Sequence, residues 1–441
     1  LYFYLSLDEV QKHENSEFVK ALESKLDEDL NRPEDLAEYA FNELCFSIEN
    51  FYGFPGKAML NDDIREEGLE KALNDYSEAG KKTVELLKSP GITDYLYGMS
   101  KLGLFLNDGG HTYLTWTLPK DFEDEGIREE YDKLAKELDP LFEEVQSEAD
   151  KRKMDVSEYL ARRKMRNDSY DGSRYLKDGD TAVFVLDSFM GFDMEAWSAY
   201  YDGEGDKPTA DTVSGDDIVL IHDALIDADK DPDIVNFVID CSNNTGGSAD
   251  EVAMLVSLIT GERETEIRLE DTQTGQIRTE VYEADTNFDG SFDEEDDFEP
   301  YDLNFAILTS STSFSCGNLF PALMREKGYM IMGERSGGGA CAVMQQTTGD
   351  GLNYQMSSCR MKLLDIEGSS IDNGIPVDVD LVPKKSDGSD KTVLEKDVLL
   401  SKEDGPQELR VIDYSEFYII ERLSDEINGF YEEEAAEDKA A

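Results

Sequence analysis

Apolar residues recur at three- and four-residue spacing between residue 8 and about residue 105, with acidic residues between them. That period predicts a run of amphipathic helices. Glu34 to Ile48 and Ile64 to Leu73 carry it clearly, and Asp62-Asp63 ahead of Ile64, with Glu66-Glu67 after it, reads as a helix start. The pattern breaks at Gly103, and Asn107-Asp108-Gly109-Gly110-His111-Thr112-Tyr113-Leu114 reads as a Gly-rich turn leading into a short strand. Lys120 to about Lys164 is charged and predicts one or two long solvated helices, with Pro140 inside the stretch.

From Thr181 the texture changes. Ala182-Val183-Phe184-Val185-Leu186, Val235 to Asp240, Asn304 to Thr309 and Tyr329 to Gly333 are short apolar runs with the pattern of buried strands. Between them lie helical patterns over Asp216 to Ala228, Ala249 to Ile259 and about Gly317 to Lys327. Strand–helix alternation implies right-handed crossovers and a largely parallel sheet, so the fold class is α/β. Residues 264 to 300 interrupt it with a hairpin-like pair and an acidic loop, and the tail from about Ser424 reads as a frayed helix or as disorder. The expected organisation is a helical domain over 1–118, a helical insertion over 119–175, an α/β core over 176–400 and a C-terminal helix with an acidic tail over 401–441.

Composition narrows the function. The 441 residues are 39% apolar and 10% aromatic, enough for a sizeable core, but the net charge is −58. A surface this negative repels phosphate backbones and anionic lipid, which argues against a nucleic-acid or membrane-surface partner. No apolar run approaches the ~18 residues a membrane span needs. The chain opens at Leu1 without Met, so a removed export signal is compatible with it. Five scattered cysteines without a CxxC pair do not form a disulfide scaffold or a zinc site.

In a parallel sheet, reactive groups gather at the carboxyl ends of strands. Ser315 follows the strand ending at Thr309 and precedes a helix, where a helix N-terminus favours developing negative charge. A serine at that position can equally be a cap. Pro321 fits if it lies in the helix's first turn. Gly246-Gly247 stand in the neighbouring turn, where free amides can form an oxyanion hole and where glycine is also what a tight turn requires. A serine nucleophile needs a base. Of His13, His111 and His222, only His111 lies at a loop-to-strand junction rather than in a helical run, which makes it the candidate. Cys316 can be read as a nucleophile or as a small buried thiol.

Four segments in order resemble the C-terminal-processing (tail-specific) protease family in its tricorn-core branch. Asp108-Gly109-Gly110-His111-Thr112 resembles the family's "G-D-G-H-T" element, and Val238 through Gly247 its "D-x-R-x-N-x-G-G" turn. Thr309 through Asn318 resembles its "S/T-x-S-A-x-E" run, and Gly333 through Ala340 its "G-E-x-T-x-G-G" segment. The resemblance spans roughly residues 100 to 385 and implies a ClpP/crotonase-like core. It implies an acyl-enzyme on Ser315, His111 as general base, and an oxyanion hole from Gly246, Gly247 and Cys316. The third member would be Asp372, in Ser370-Ile371-Asp372-Asn373-Gly374-Ile375-Pro376-Val377-Asp378, with Asp378 and Asp108 as alternatives. The chain departs from the family in three ways. Gly337-Gly338-Gly339-Ala340 holds no lysine where a Ser–Lys dyad would have one, Asn318 replaces the acid after the nucleophile, and no PDZ-like segment is recognisable.

One motif belongs to a different chemistry. Asp285, Asn287, Asp289, Ser291, Asp293 and Asp296 match the spacing of EF-hand and dockerin-type calcium loops, with Gly290 at the sharp turn. A solvated acidic loop is the plainer reading of the same residues. Long flanking helices are lacking, so a bound Ca2+ would be structural, and no cofactor is expected for catalysis. The expected function is that of a serine peptidase acting on peptide or protein substrates in an extracellular or cell-surface setting. The alternatives are a non-catalytic binding protein on the same fold and a calcium-dependent surface module.

Overall fold

In the computed structural model the described residues are 19–53, 58–112, 119–151, 156–339, 341–383, 389, 393–394, 408–409, 412, 414 and 419–438. His13, the strand expected after His111 and Ala340 lie outside them. Packing divides the chain into two units: residues 1–153 with 270–276 and 341–362, and residues 154–269 with 277–340 and 363–441.

The first unit is built by the helical period of its sequence. Its helices are α1 (Glu34–Phe51), α2 (Asn61–Glu67), α3 (Leu69–Tyr76), α4 (Glu78–Lys88), α5 (Ile92–Phe105) and α6 (Glu125–Asp150). Leu44, Ile48, Leu73, Leu87, Met99 and Phe105 meet in one apolar core, which the hairpin residues Leu352, Tyr354 and Met356 complete. α6 is less solvated than its charge suggests, because Ile127, Phe142, Val145 and Ala149 are buried along one stripe. Arg32 ion-pairs with Asp350, both side chains fully buried, and the guanidinium lies 3.7 Å from the centroid of the Tyr95 ring.

The second unit holds a six-stranded sheet in the order β1 (Tyr175–Asp178), β2 (Thr181–Val185), β3 (Asn236–Asp240), β4 (Asn304–Thr309), β5 (Met330–Gly333) and β6 (Val379–Asp380). Only β1 is antiparallel; β2 through β6 run parallel, as the crossovers require. β2 and β3 are buried at every residue, which is why they read as unbroken apolar runs. α7 (Val156–Ser169) and α12 (Ile419–Asp438) contribute Ala161, Met165, Leu423 and Ile427 against Val183, Val238, Ala306 and Met332. The tail is therefore a helix through Asp438, packed as far as Tyr431 because Ile420, Leu423 and Ile427 fall on one face, and exposed over residues 432–436. α8 (Met194–Tyr201), α9 (Asp217–Asp229), α10 (Ala249–Thr260) and α11 (Cys316–Glu326) complete the unit.

Pro321 departs from expectation. It sits in the interior of α11, beyond the first turn. A proline ring there presses on the carbonyl four residues back, which belongs to Gly317. The five cysteines are all free thiols, and no helix among the described residues is long and apolar enough to cross a membrane.

Candidate active site

The registers Val185↔Asp240 and Leu308↔Met332 place the carboxyl ends of β2 to β5 along one edge of the sheet. Three turns leave that edge and lock together. The turn after β4 is fastened to the turn after β3 by its hydroxyls: Ser313 Oγ donates to the Cys241 carbonyl at 2.7 Å, and Thr312 Oγ1 to the Ser242 carbonyl at 2.7 Å. Phe314 N–H donates to the Asn244 carbonyl at 3.0 Å, and Ser315 N–H to the Gly338 carbonyl at 2.9 Å.

These bonds hold Ser315 at φ 57°, ψ −121°, immediately before α11, with no capping bond from its side chain. A non-glycine residue held at positive φ is costly, by roughly 1–3 kcal/mol, and persists only where its surroundings enforce it. The hydroxyl is thus not a helix cap. Gly246 makes the conformation possible. A Cβ there would stand 2.7 Å from Ser315 Cβ, and its φ of +115° already disfavours a side chain.

The three residues expected to bind an oxyanion separate into two roles. Gly246 N–H donates to Asn244 Oδ1 at 2.9 Å, so its amide is engaged. The N–H groups of Gly247 and Cys316 find no acceptor among the described residues. Asn244 also donates through Nδ2 to the Leu186 carbonyl at 3.0 Å, so one buried side chain ties the β2 and β3 turns. Burial pushes the Cys316 thiol up to about 12, and Sγ lies 3.1 Å from the Gly247 carbonyl, so this is a packed, protonated thiol.

Asp372 lies in a single 3-10 turn, Ile371–Asn373, and its Oδ1 accepts from Gly339 N–H at 3.2 Å. Gly338, next in the chain, carries the carbonyl that accepts from Ser315. The structure therefore brings Ser315, Gly246, Gly247, Cys316 and Asp372 together in the second unit. The two alternative acids are committed elsewhere. Asp378 accepts from Ile331 N–H at 2.9 Å and pairs with Arg325 at 3.0 Å. Asp108, 2% exposed, accepts from Gly110 N–H at 2.9 Å and from Thr112 and Ser357 hydroxyls, both at 2.6 Å.

His111 belongs to the first unit, half-buried, and its carbonyl accepts from Gln355 Nε2 at 2.8 Å. Asp108 shapes the turn on which it stands. His222 is a half-buried helical residue whose imidazole packs edge-on against Phe288 at 4.9 Å. A pocket of about 510 Å³, lined by Ser311, Glu334, Arg335, Ser336 and Asp380 among others, does not include Ser315.

Two buried amides stand in the sequence only as motif positions, Asn244 as the Asn of the turn before Gly246-Gly247 and Asn318 in place of an acid. Only their partners reveal what their side chains do. The hydroxyl run Thr309-Ser310-Ser311-Thr312-Ser313 was the one legible signal of how tightly this turn is held.

In the acidic loop, Asp285 accepts from Asp289 N–H at 3.1 Å and Gly290 N–H at 2.8 Å. Asp296 accepts from Thr286 N–H at 3.0 Å and Asp293 N–H at 2.9 Å. Asn287 Oδ1 accepts from Asp289 N–H at 2.9 Å and Asp289 Oδ1 from Ser291 N–H at 2.8 Å. Asp285 and Asp296 are each 1% exposed, and burial, with the Asp296 charge adding to it, holds the Asp285 carboxyl above its usual range. Among the described residues no group of three or more His, Cys, Asp or Glu side chains is placed to hold a metal.

Residues 220–381 match the model of Peptidase family S41, so this part of the chain is similar to that peptidase family. The match contains Gly246, Gly247, Ser315, Cys316 and Asp372. Among solved structures, a lipoprotein from Streptococcus agalactiae is 14% identical, with 78% of this chain and 91% of that one covered at a TM-score of 0.42. A Parabacteroides merdae protein provisionally described as a peptidase is 15% identical over 84% of this chain and 98% of its own, at a TM-score of 0.47. The photosystem II D1 C-terminal processing protease is 16% identical over 47% of this chain and 45% of its own, at a TM-score of 0.30. No curated protein matches the chain.

Proposed function

We propose that the protein is a serine peptidase that cleaves peptide bonds in peptide or protein substrates through an acyl-enzyme on Ser315. The observation that carries this reading is Ser315 itself, held at positive φ ahead of α11, beside the Gly247 and Cys316 N–H groups that find no acceptor among the described residues. In the proposed reaction Ser315 Oγ attacks the scissile carbonyl carbon while His111 accepts the hydroxyl proton. Gly247 and Cys316 N–H groups donate to the developing oxyanion, and Gly246 contributes room rather than a bond. The imidazolium then returns its proton to the leaving amine, and water repeats the sequence to release the acid. Asp372 is proposed as the carboxylate that steadies the imidazolium. No lysine stands in the Gly337–Gly339 segment to serve as an alternative base.

The test is covalent labelling with a fluorophosphonate probe. Labelling of the parent at Ser315, its loss in Ser315→Ala and its strong reduction in His111→Ala are expected. A parent that is not labelled, or a Ser315→Ala variant labelled equally, would point instead to a binding protein on the same fold.

The loop 285–296 is proposed as a structural Ca2+ site, with ligands from Asp285, Asn287, Asp289, Asp293 and Asp296 and the Ser291 carbonyl. Its support is the pair of buried carboxylates, whose charge a cation would offset. Such a site and a net charge of −58 suit an extracellular or cell-surface setting, where calcium is abundant.

A further inference from the structure

The amide of Asn318, where the resembling family carries an acid, bonds α11 to the Asp372 turn, which the backbone links, among the described residues, only through residues 336–338: Ser315 N–H to the Gly338 carbonyl at 2.9 Å and Ser336 N–H to the Ile375 carbonyl at 3.3 Å. Asn318 lies in the first turn of α11, three residues after Ser315, and is fully buried. Its Nδ2 donates to the Ile371 carbonyl at 3.0 Å. Its Oδ1 accepts from Ser336 Oγ at 2.6 Å, and Ser336 Oγ in turn accepts from Ile375 N–H at 2.6 Å. The bonds therefore grip the Asp372 turn at both ends, one residue before the acid and three after it. A short 3-10 turn has too few internal bonds to fix a side chain by itself.

We propose that Asn318 and Ser336 are positioning residues that set Asp372 relative to Ser315; this rests on the peptidase reading above. An ionised carboxylate could not perform the Asn318 role, because it has no donor for the Ile371 carbonyl, which otherwise accepts only from Gly374 N–H at 3.1 Å among the described residues. The amide offers both a donor and an acceptor from one side chain at any pH. The asparagine at this position is then a functional replacement for an acid and not a sign of lost activity.

The experiment compares fluorophosphonate labelling rates of the full chain across pH. The variants are Asn318→Asp, Ser336→Ala, Asp372→Asn and the doubles Asn318→Asp/Asp372→Asn and Ser336→Ala/Asp372→Asn. Asn318→Asp keeps the acceptor and loses the donor, and Ser336→Ala removes one hydroxyl. Each single relay variant should label about tenfold or more slower, the scale on which a misplaced catalytic group loses rate, with an altered pH profile. In the Asp372→Asn background the same substitutions should cost less than about twofold further, because the group they position is already gone. Equal losses in both backgrounds, or no loss in either, would overturn the proposal by showing a role in packing alone. If Asn318→Asp does not fold, Ser336→Ala carries the comparison. Failures remain distinguishable. An unlabelled parent rejects the peptidase reading, whereas a labelled parent whose Asp372→Asn variant keeps full rate rejects only the assignment of Asp372 and, with it, the relay.

Discussion

The amide of Ser315 donates to the carbonyl of Gly338 at 2.9 Å, and through that bond the turn after β4 is registered on the segment after β5. The same segment touches the acid. A Cβ on Gly338 would stand 2.0 Å from the Asp372 carbonyl oxygen, and the residue's φ is +83°. Ser315 and Asp372 are thus both placed by two consecutive glycines.

Gly338→Ala should therefore displace the Asp372 turn and slow labelling of Ser315. Gly246→Ala should act more directly, by driving its methyl group into Ser315 Cβ. Loss of about tenfold or more in labelling rate is expected for both, with lowered thermal stability from the imposed φ. A Gly246→Ala variant that labels at the parent rate would contradict the tight approach.

Calcium should raise the thermal midpoint of the parent, and a chelator should lower it. Stabilisation follows ligand concentration, reaching about 2.7 kcal/mol at a hundredfold excess over the dissociation constant. Asp285→Ala and Asp289→Ala should abolish the calcium response. A response that survives both substitutions would leave the loop as a self-bonded acidic turn.

Glu251 on α10 is 3% exposed, and its Oε2 has no hydrogen-bond partner among the described residues. Burial, reinforced by Asp217 and Asp216 and opposed by Arg174, pushes its carboxyl up to about 9. The fold prefers the neutral form, so this contribution is complete below the ordinary value of 4.5 and is lost as pH rises toward about 9. Denaturation of the parent and Glu251→Gln at pH 5, 7 and 9 isolates the effect. The parent should lose ground to the variant with rising pH, by at most roughly 1.4 kcal/mol per unit. Parallel stability curves would show that Glu251 ionises without cost.

Arg32→Ala should destabilise the first unit by about 3–5 kcal/mol, because Asp350 would remain buried without its partner. Urea denaturation monitored by tryptophan-independent circular dichroism reads this directly. A loss below about 1 kcal/mol would mean that water reaches Asp350. Arg32→Met combined with Asp350→Leu should recover much of the loss, since a buried pair is often replaceable by apolar side chains.

The residues themselves determined the elements. The period of three and four placed the helices of the first unit, the unbroken apolar runs placed β2 to β5, and their alternation with helices required a parallel sheet whose carboxyl edge carries Ser315. These patterns are legible because each follows from a local repeat and a choice of face. The site's finer roles are not local. Gly246 resembles Gly247 in the chain, yet only packing shows that its amide bonds Asn244 while its missing side chain makes room for Ser315. Pro321 reads as a first-turn proline because steric rules favour it there, whereas Gly317 lies four residues before it in the helix. Asp372, Asp378 and Asp108 are equivalent carboxylates in a chain of 100 acidic residues. Their hydrogen-bond partners distinguish them: Asp378 is tied to Ile331 and Arg325, Asp108 to its own turn, and Asp372 to the glycines beside Ser315. A partner distant in sequence leaves no trace in spacing, so Asn318 reads as a departure from a motif until tertiary structure supplies Ile371 and Ser336 on either side of it.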